Sequence, residues 1–146
     1  MDVSSIRFRD KQHENLFVRW SELTDKTDDP EYSALFYLLA LDDVTRTHIQ
    51  YIFDFDDCML ISAYRDAGFW TSSSLQVFRL AVNLFNGRYF DIDSDGDPVP
   101  YSEDRYSPLN IFYSSYFPFF VQAMRIRFRG MNVIGSNGKV GRISTF

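Results

Sequence analysis

The segment from Trp70 to Gly87 constrains the fold of this chain most strongly. It begins with the hydroxyl side chains of Thr71, Ser72 and Ser73 and ends at a glycine, with mostly apolar residues between. Hydroxyls that accept a hydrogen bond from an early backbone N–H favour a helix start. A glycine that adopts the left-handed conformation favours a helix end. The segment therefore predicts a helix over 72–86, and its wide apolar surface predicts a central position in the fold.

One narrow polar stripe interrupts the apolar surface of this helix. Its residues recur every three or four positions and share one face: Ser72, Gln76, Arg79, Asn83 and Asn86. Three interpretations are open. The stripe faces solvent, or Arg79 pairs inside the protein with Asp54, Asp56 or Asp57, or the stripe belongs to a binding site. Helix N-termini bind phosphate and carboxylate groups, so Trp70 and Thr71 join the stripe as candidate binding residues.

Capping signals and helical periodicity predict further helices along the chain. The expected ranges are 11–23 after Asp10, 30–41 after Asp29, 43–53 after Asp42, 61–67, 108–113 after Ser107, and 116–129. A loop or small β-hairpin is expected at 88–104, and the turn signal Asn137-Gly138 allows another at 132–143. We predict a mainly α, single compact domain over 1–146, with about six helices, an N-terminal arm at 1–9 and a flexible or hairpin tail at 131–146.

Composition limits the classes of function. Aromatic residues make up 18% of the 146 residues, with 15 Phe and 9 Tyr, which suits an aromatic core or a contact surface. A single cysteine, Cys58, excludes an internal disulfide and a Cys-x-x-Cys zinc site. The sequence begins without a signal-peptide pattern, and no run of 18 apolar residues occurs. We expect a cytoplasmic protein with no membrane association.

Charge is distributed unevenly along the chain. All 20 acidic residues lie in 1–104, with 9 Lys and Arg, which gives −11; residues 105–146 carry 6 Lys and Arg, which gives +6 and the total of −5. Arg125, Arg127 and Arg129 form the main basic region. They suit phosphate contacts with nucleic acid. They also suit the ordinary role of cations at a helix C-terminus that pair with the acidic half.

The remaining motifs predict little chemistry. Asp91, Asp93 and Asp95 with Gly96 match the opening of a calcium-binding loop, but the twelfth position is Ser102. A solvated acidic turn, or imitation of DNA phosphates, are the alternatives. His13 and His48 are the two histidines, and His48 is expected to pack in the core. Catalysis usually needs a nucleophile–base pair or paired carboxylates, so no catalytic residue, metal or cofactor is predicted.

Several motifs together resemble a family of small uncharacterised proteins from Gram-positive bacteria, their phages and mobile elements. The family pattern combines Trp-x-Thr-x-x-Ser with Arg-Leu-Ala-x-Asn-Leu-x-Asn-Gly. The matching segments are Leu35 to Leu39, Thr45 to Ile49, Phe53 to Phe55, Arg79 to Gly87, Ile111-Phe112, and Tyr116 to Ala123 with Arg127. The chain departs from the pattern at Trp70-Thr71, where a Gln is expected between the two, and in the glycine-rich tail.

The resemblance implies a genetic context and no established activity. Small acidic proteins encoded by phages and mobile elements often bind and block a host factor. The expected function is a non-enzymatic protein-interaction module, such as an anti-CRISPR or other inhibitor of a bacterial defence nuclease, in the host cytoplasm. The alternative is a module that binds nucleic acid, a nucleotide or an anion through the basic C-terminal third and the start of the 72–86 helix.

Overall fold

The structure, a computed structural model, describes residues 2–145 and confirms the mainly α, single-domain prediction. Within this range there are six α-helices: α1 Lys11–Leu23, α2 Pro30–Leu41, α3 Asp43–Thr47, α4 Ser72–Asn86, α5 Pro108–Phe112 and α6 Phe117–Arg127. Two short antiparallel hairpins complete the regular structure. Strand β1 (Phe53–Asp54) pairs with β2 (Met59–Leu60), and β3 (Asn132–Ile134) pairs with β4 (Val140–Arg142).

Helix α2 lies at the centre of the domain together with α4. Every residue of α2 from Ser33 to Leu41 is buried, and α2 contacts α1, α4 and α6. A helix that is buried on all sides has no polar face, which explains the uninterrupted apolar run in its sequence. The central position predicted for 72–86 is therefore shared by two helices, and α4 keeps one partly exposed edge.

Local capping determines where the long helices begin and end. The Asp10 carboxylate accepts from the His13 N–H at 2.7 Å, and Asp29 caps α2 in the same way. The Thr71 hydroxyl accepts from the Ser74 N–H at 3.1 Å, and the Thr71 N–H donates to the Ser74 hydroxyl at 2.8 Å. This reciprocal pair satisfies donors that a helix start leaves free. Gly87 closes α4 in the left-handed conformation at φ 80°.

The third helix is shorter than the predicted range of 43–53. It ends at Thr47, and residues Ile49–Tyr51 form a 3-10 helix before β1 begins. Its side chains bond back to the end of α2: the Thr45 hydroxyl donates to the Leu39 carbonyl at 2.7 Å, and Arg46 Nε donates to the Ala40 carbonyl at 2.9 Å. These bonds hold α3 tightly against α2. A further 3-10 helix, Ser62–Asp66, replaces the predicted helix over 61–67.

Both ends of the described chain pack onto the domain. The Arg7 N–H donates to Gln122 Oε1 at 3.0 Å, and the Tyr37 hydroxyl donates to the Arg7 carbonyl. The hydroxyls of Ser5 and Thr145 are 2.7 Å apart. The arm predicted at 1–9 is therefore part of the packed structure over residues 2–9. The tail forms the β3–β4 hairpin, whose strands are mostly exposed.

The segment after α4 is a loop with little regular pairing. An isolated bridge joins Ile92 and Pro98, and a 3-10 helix over Glu103–Tyr106 leads into α5. This loop folds back beside α4 and brings residues far apart in sequence to a single site.

Candidate functional site

A buried aspartate, Asp91, organises the most highly charged cluster in the described chain. Its side chain is 2% exposed. Oδ1 accepts from Arg79 Nε at 3.2 Å and from the Tyr106 hydroxyl at 2.9 Å. Oδ2 accepts from Arg79 Nη2 at 3.1 Å and from Arg105 Nη1 at 2.8 Å. The carboxylate is thus fully hydrogen-bonded, as a buried charge requires.

Three chain segments position this cluster. Arg79 projects from the middle of α4, Asp91 lies in the loop after Gly87, and Arg105 and Tyr106 come from the 3-10 helix before α5. The loop is held by a backbone clamp: the Asp91 N–H donates to the Ser102 hydroxyl at 2.9 Å, and the Val99 N–H donates to the Asp91 carbonyl at 2.7 Å. The aspartate is therefore fixed by its own backbone as well as by its side chain.

Electrostatics keep Asp91 ionised. Burial by itself would raise the pKa of this carboxyl, but the hydrogen bonds and positive charges of Arg79 and Arg105 outweigh burial and hold the pKa below its ordinary value. Burial and the negative charge of Asp91 raise the pKa of the Tyr106 hydroxyl, which stays protonated and donates to the carboxylate. The arrangement is a stable ion pair rather than a proton-transfer pair.

Arginines outnumber carboxylates in this cluster. Arg65 Nη1 lies 3.5 Å from Asp91 Oδ2, so three guanidinium groups share one carboxylate. Arg88 lies nearby, with its guanidinium carbon 5.7 Å from the ring centroids of Tyr64 and Phe78. Counting Asp91 as −1 and the three paired arginines as +3 leaves a surplus of +2.

Two of the three arginines, Arg79 and Arg105, line an open pocket of about 320 Å³ at the start of α4, which we call the cationic pocket. Its lining combines residues from the first two turns of α4 with two residues from the segment that follows the loop: Ser72, Leu75, Gln76, Arg79, Arg105 and Asn110. Ser72, Arg79 and Arg105 supply hydrogen-bond donors for an anion, whereas the amides of Gln76 and Asn110 already donate to backbone carbonyls. It shows no nucleophile–base pair of the kind that covalent catalysis needs.

A second feature adjoins the cationic pocket. Leu109 is 78% exposed and Tyr113 is 85% exposed, and the two line one shallow cavity with Gln76 and Asn110. We call Leu109 and Tyr113 the α5 ridge. Gln76 and Asn110 border both the ridge and the cationic pocket, so the two features form one continuous surface.

The structure assigns structural contacts to most of the predicted stripe on α4. Gln76 Nε2 donates to the carbonyls of Asn110 and Tyr113 at 2.8 and 3.0 Å. Asn83 Nδ2 donates to the Arg88 carbonyl, and the Asn86 side chain accepts from the Arg88 N–H. Ser72, Gln76 and Arg79 are the stripe residues that line the cationic pocket.

The predicted partner of Arg79 was wrong. Arg79 pairs with Asp91 and not with Asp54, Asp56 or Asp57, because the loop after Gly87 folds back beside α4. The Asp54 carboxylate instead accepts from the N–H groups of Asp56 and Asp57 and closes the β1–β2 turn.

Trp70 and Thr71, the other candidate binding residues at this helix start, have structural roles. Trp70 Nε1 donates to the Tyr64 carbonyl at 2.8 Å, and its ring packs on Tyr64 and Phe78. Thr71 forms the helix cap described above.

The basic C-terminal region makes contacts within the chain. Arg127 Nε donates to the Leu84 carbonyl at 2.7 Å, and its Nη2 lies 3.5 Å from Glu31. Arg129 donates to the carbonyls of Ile126 and Asp28. Arg125 is exposed and lines a groove between α6 and the β3–β4 hairpin. Arg125, Arg127 and Arg129 are therefore not assembled as one phosphate-facing row.

The structure contradicts the calcium interpretation of Asp91, Asp93 and Asp95. Asp91 points to the arginines, while the Asp93 carboxylate accepts from the N–H groups of Asp95 and Asp97. Within residues 2–145, no group of three His, Cys, Asp or Glu side chains could hold a metal ion.

Sequence reasoning missed the roles of Asp91, Arg105 and the α5 ridge. A usable signal existed for Asp91, since it lies between the apolar residues Phe90 and Ile92 at the edge of an otherwise polar loop. For the ridge, Leu109 and Tyr113 are four positions apart, which places them on one side of a helix.

The chain belongs to a family of unknown function, DUF6075, whose family model matches residues 3–134. The membership confirms the expectation of an uncharacterised family and supplies no activity. The chain has no significant match among curated proteins or solved structures. In the described part of the chain, no helix is both long enough and apolar enough to cross a membrane.

Proposed function

We propose that this member of DUF6075 is a non-enzymatic protein-interaction module that binds its partner through the α5 ridge. The observation that carries the proposal is the exposure of Leu109 and Tyr113, at 78% and 85%, side by side on one surface. Tyrosine is enriched among the residues that contribute most to binding, and covering a leucine beside it removes further apolar area from water.

The ridge is held rigidly, which favours binding. Ile111, on the opposite side of α5, is buried, and the Ser107 hydroxyl caps the helix start. Gln76 bonds two carbonyls at the end of α5 and ties this short helix to α4. A backbone segment that is already ordered loses less conformational entropy when the partner binds.

A protein partner suits this surface better than nucleic acid. The chain carries a net charge of −5, and Arg127 and Arg129 bond to backbone carbonyls of the same chain. Nucleic-acid binding draws most of its affinity from a row of cations that neutralise phosphates. The ridge and the cationic pocket instead suit a protein segment that presents apolar and acidic side chains next to each other.

The finer proposal is that the partner is a bacterial defence nuclease and the protein its inhibitor, acting in the cytoplasm of a Gram-positive host. This proposal rests on the family resemblance to phage and mobile-element proteins, which is an argument by analogy and not from the geometry of a site. Expression of the chain in a host that carries an active CRISPR system should restore plaque formation by a targeted phage. Unchanged plaque counts across several defence systems would contradict the inhibitor proposal and leave the interaction surface untouched.

The interaction proposal is tested with two matched double variants in affinity capture from a bacterial lysate. The ridge variant is L109A/Y113A, and the control L23A/Y51A removes the same two residue types from exposed positions elsewhere. Both should keep the wild-type melting temperature. We expect the control to retain the captured partner and the ridge variant to lose it. Equal capture by both variants would refute the proposed surface.

A second copy of the chain is the competing occupant of the ridge. Light scattering coupled to size-exclusion chromatography over a hundredfold concentration range distinguishes the two. We expect a monomer throughout. A dimer that forms with concentration and disappears in L109A/Y113A would assign the ridge to self-association instead.

A further inference from the structure

We infer that the cationic pocket binds an oxyanion, a carboxylate or phosphate group, and that a carboxylate of the docked partner supplies it. The inference deepens the proposed function and rests on it for the source of the anion. The pocket itself is argued from the arginine cluster and is tested separately with inorganic phosphate.

Asp91 neutralises only part of the positive charge of the arginines around it. Arg65, Arg79 and Arg105 all converge on Oδ2 of one buried carboxylate, at 3.5, 3.1 and 2.8 Å. Glu103 and Asp104 are exposed on the adjacent 3-10 helix, and no ion pair between residues 2 and 145 joins either of them to these arginines. An excess of guanidinium groups in a concavity is a favourable environment for an anion.

Arg79 and Arg105 keep N–H donors that do not bind Asp91. A guanidinium has five N–H groups; Asp91 takes two from Arg79 and one from Arg105. The remaining donors of these two arginines, both of which line the pocket, are available to a second acceptor. A planar or tetrahedral oxyanion is the group that arginine donors match geometrically.

The cationic pocket lies at the start of α4, a helix of 15 residues. Ser72 is the first residue of α4 and lines the pocket. The first N–H groups of a helix have no partner within it, and the helix dipole makes this end positive. The partial positive charge at the helix start therefore adds to the positive charge of Arg79 and Arg105.

Asp91 holds the arginine side chains in position before an anion binds. Bidentate bonding fixes the plane of the Arg79 guanidinium, and Tyr106 and Ser102 hold the aspartate in turn. A long arginine side chain that is already immobilised loses little entropy when an anion binds. Because Gln76 and Asn110 border both features, a partner on the α5 ridge can place an acidic side chain in this pocket.

The test of the pocket is a titration of ¹⁵N-labelled protein with sodium phosphate at constant ionic strength, followed by NMR. We expect saturable shifts centred on the amide of Ser72 and the side-chain Nε–H of Arg79 and Arg105. Arg105→Gln should weaken phosphate binding by roughly tenfold or more, since a charged hydrogen bond is lost. Arg142→Gln, an exposed arginine on β4, should leave binding unchanged.

Two results would contradict phosphate binding at the cationic pocket. The first is a set of shifts that do not saturate or that spread evenly over all arginines. The second is equal weakening of phosphate binding by Arg105→Gln and Arg142→Gln. The wild-type shift map needs no variant, so a folding defect in Arg105→Gln does not prevent the test. The source of the anion is tested by affinity capture of the partner from the lysate with the Arg105→Gln variant. Reduced capture supports a carboxylate of the partner, and unchanged capture overturns that assignment. Full capture by L109A/Y113A would instead refute the interaction surface, whatever the phosphate result.

Discussion

The buried histidine of α1 should make this protein lose stability in mild acid. His13 is fully buried. Its Nδ1 lies 3.1 Å from the Arg9 N–H, and its Nε2 lies 2.7 Å from the Tyr37 carbonyl. The N–H can only donate and the carbonyl can only accept, so Nδ1 must be the acceptor and Nε2 must carry the proton. The Arg9 N–H therefore requires a neutral ring, because a second proton on Nδ1 would face another donor, whereas the Tyr37 carbonyl accepts from Nε2 in either protonation state.

The magnitude follows from the pKa of this group. Burial lowers the pKa of His13 from 6.5 to about 4, against the opposing effect of the Tyr37 carbonyl. Because the folded pKa lies below the unfolded pKa, the unfolded chain takes up a proton first as the pH falls. Stability is then complete above pH 6.5 and declines towards pH 4, at about 1.4 kcal/mol per pH unit. Between pH 7.5 and 5.0 the loss from this one group is about 2 kcal/mol.

Urea unfolding at several pH values, followed by tryptophan fluorescence, measures the effect. Trp20 is buried and Trp70 half-buried, so unfolding should change their emission. In His13→Gln, whose side chain does not titrate, the free energy of unfolding should vary much less between pH 7.5 and 5.0. His48→Gln replaces the half-buried histidine that stacks on Phe69 and leaves His13 in place, so it is the control and should keep the dependence that His13 produces. The reasoning is refuted if His13→Gln retains the full pH dependence of the wild type.

Two further predictions test the arginine cluster and the cap of α4. Asp91→Asn should lower the free energy of unfolding by about 3 kcal/mol, because it removes the charge of the buried carboxylate with which the mostly buried Arg79 side chain, 12% exposed, is paired; Asp95→Asn, in the exposed part of the same loop, should change it by less than about 0.5 kcal/mol. Both are measured by urea titration, and equal effects would contradict the role of Asp91. Thr71→Ala should cost about 1 kcal/mol, whereas Thr71→Ser should retain most of the stability in the same assay; a loss as large for serine as for alanine would exclude the hydroxyl cap.

The long helices were predictable because their signals are local. Asp10 and Asp29 cap the helices that they precede, and Gly87 ends α4, as the sequence indicates. A cap depends on residues within one turn, so one sequence suffices to find it. The β3–β4 hairpin follows from Asn137-Gly138 for the same reason.

Errors arose where tertiary contacts outweigh local preference. The third helix ends at Thr47, where His48 leaves the helical conformation at φ −108° and ψ 25° and its ring stacks on Phe69; no periodicity in the sequence records that contact. The β1–β2 hairpin has only two residues in each strand, too few for an alternating pattern to be visible.

The candidate site was only half predictable. The stripe on α4 correctly indicated that Arg79 was unusual, since an arginine in a largely apolar helix needs a partner. The choice among the aspartates depended on how the loop after Gly87 folds back, which is a long-range contact. Arg105, the second arginine of the pocket, lies 26 positions further on and shares no motif with Arg79.

The central claim is that a partner protein covers the α5 ridge, and site-specific photocrosslinking tests it most directly. Benzoylphenylalanine is introduced in place of Tyr113 on the ridge, and separately in place of Tyr51, an exposed tyrosine elsewhere on the domain. Illumination in the bacterial lysate used for capture should give a discrete crosslinked product from position 113 and none from position 51. The account is contradicted if position 113 gives no product, or if position 51 gives the same product in equal yield.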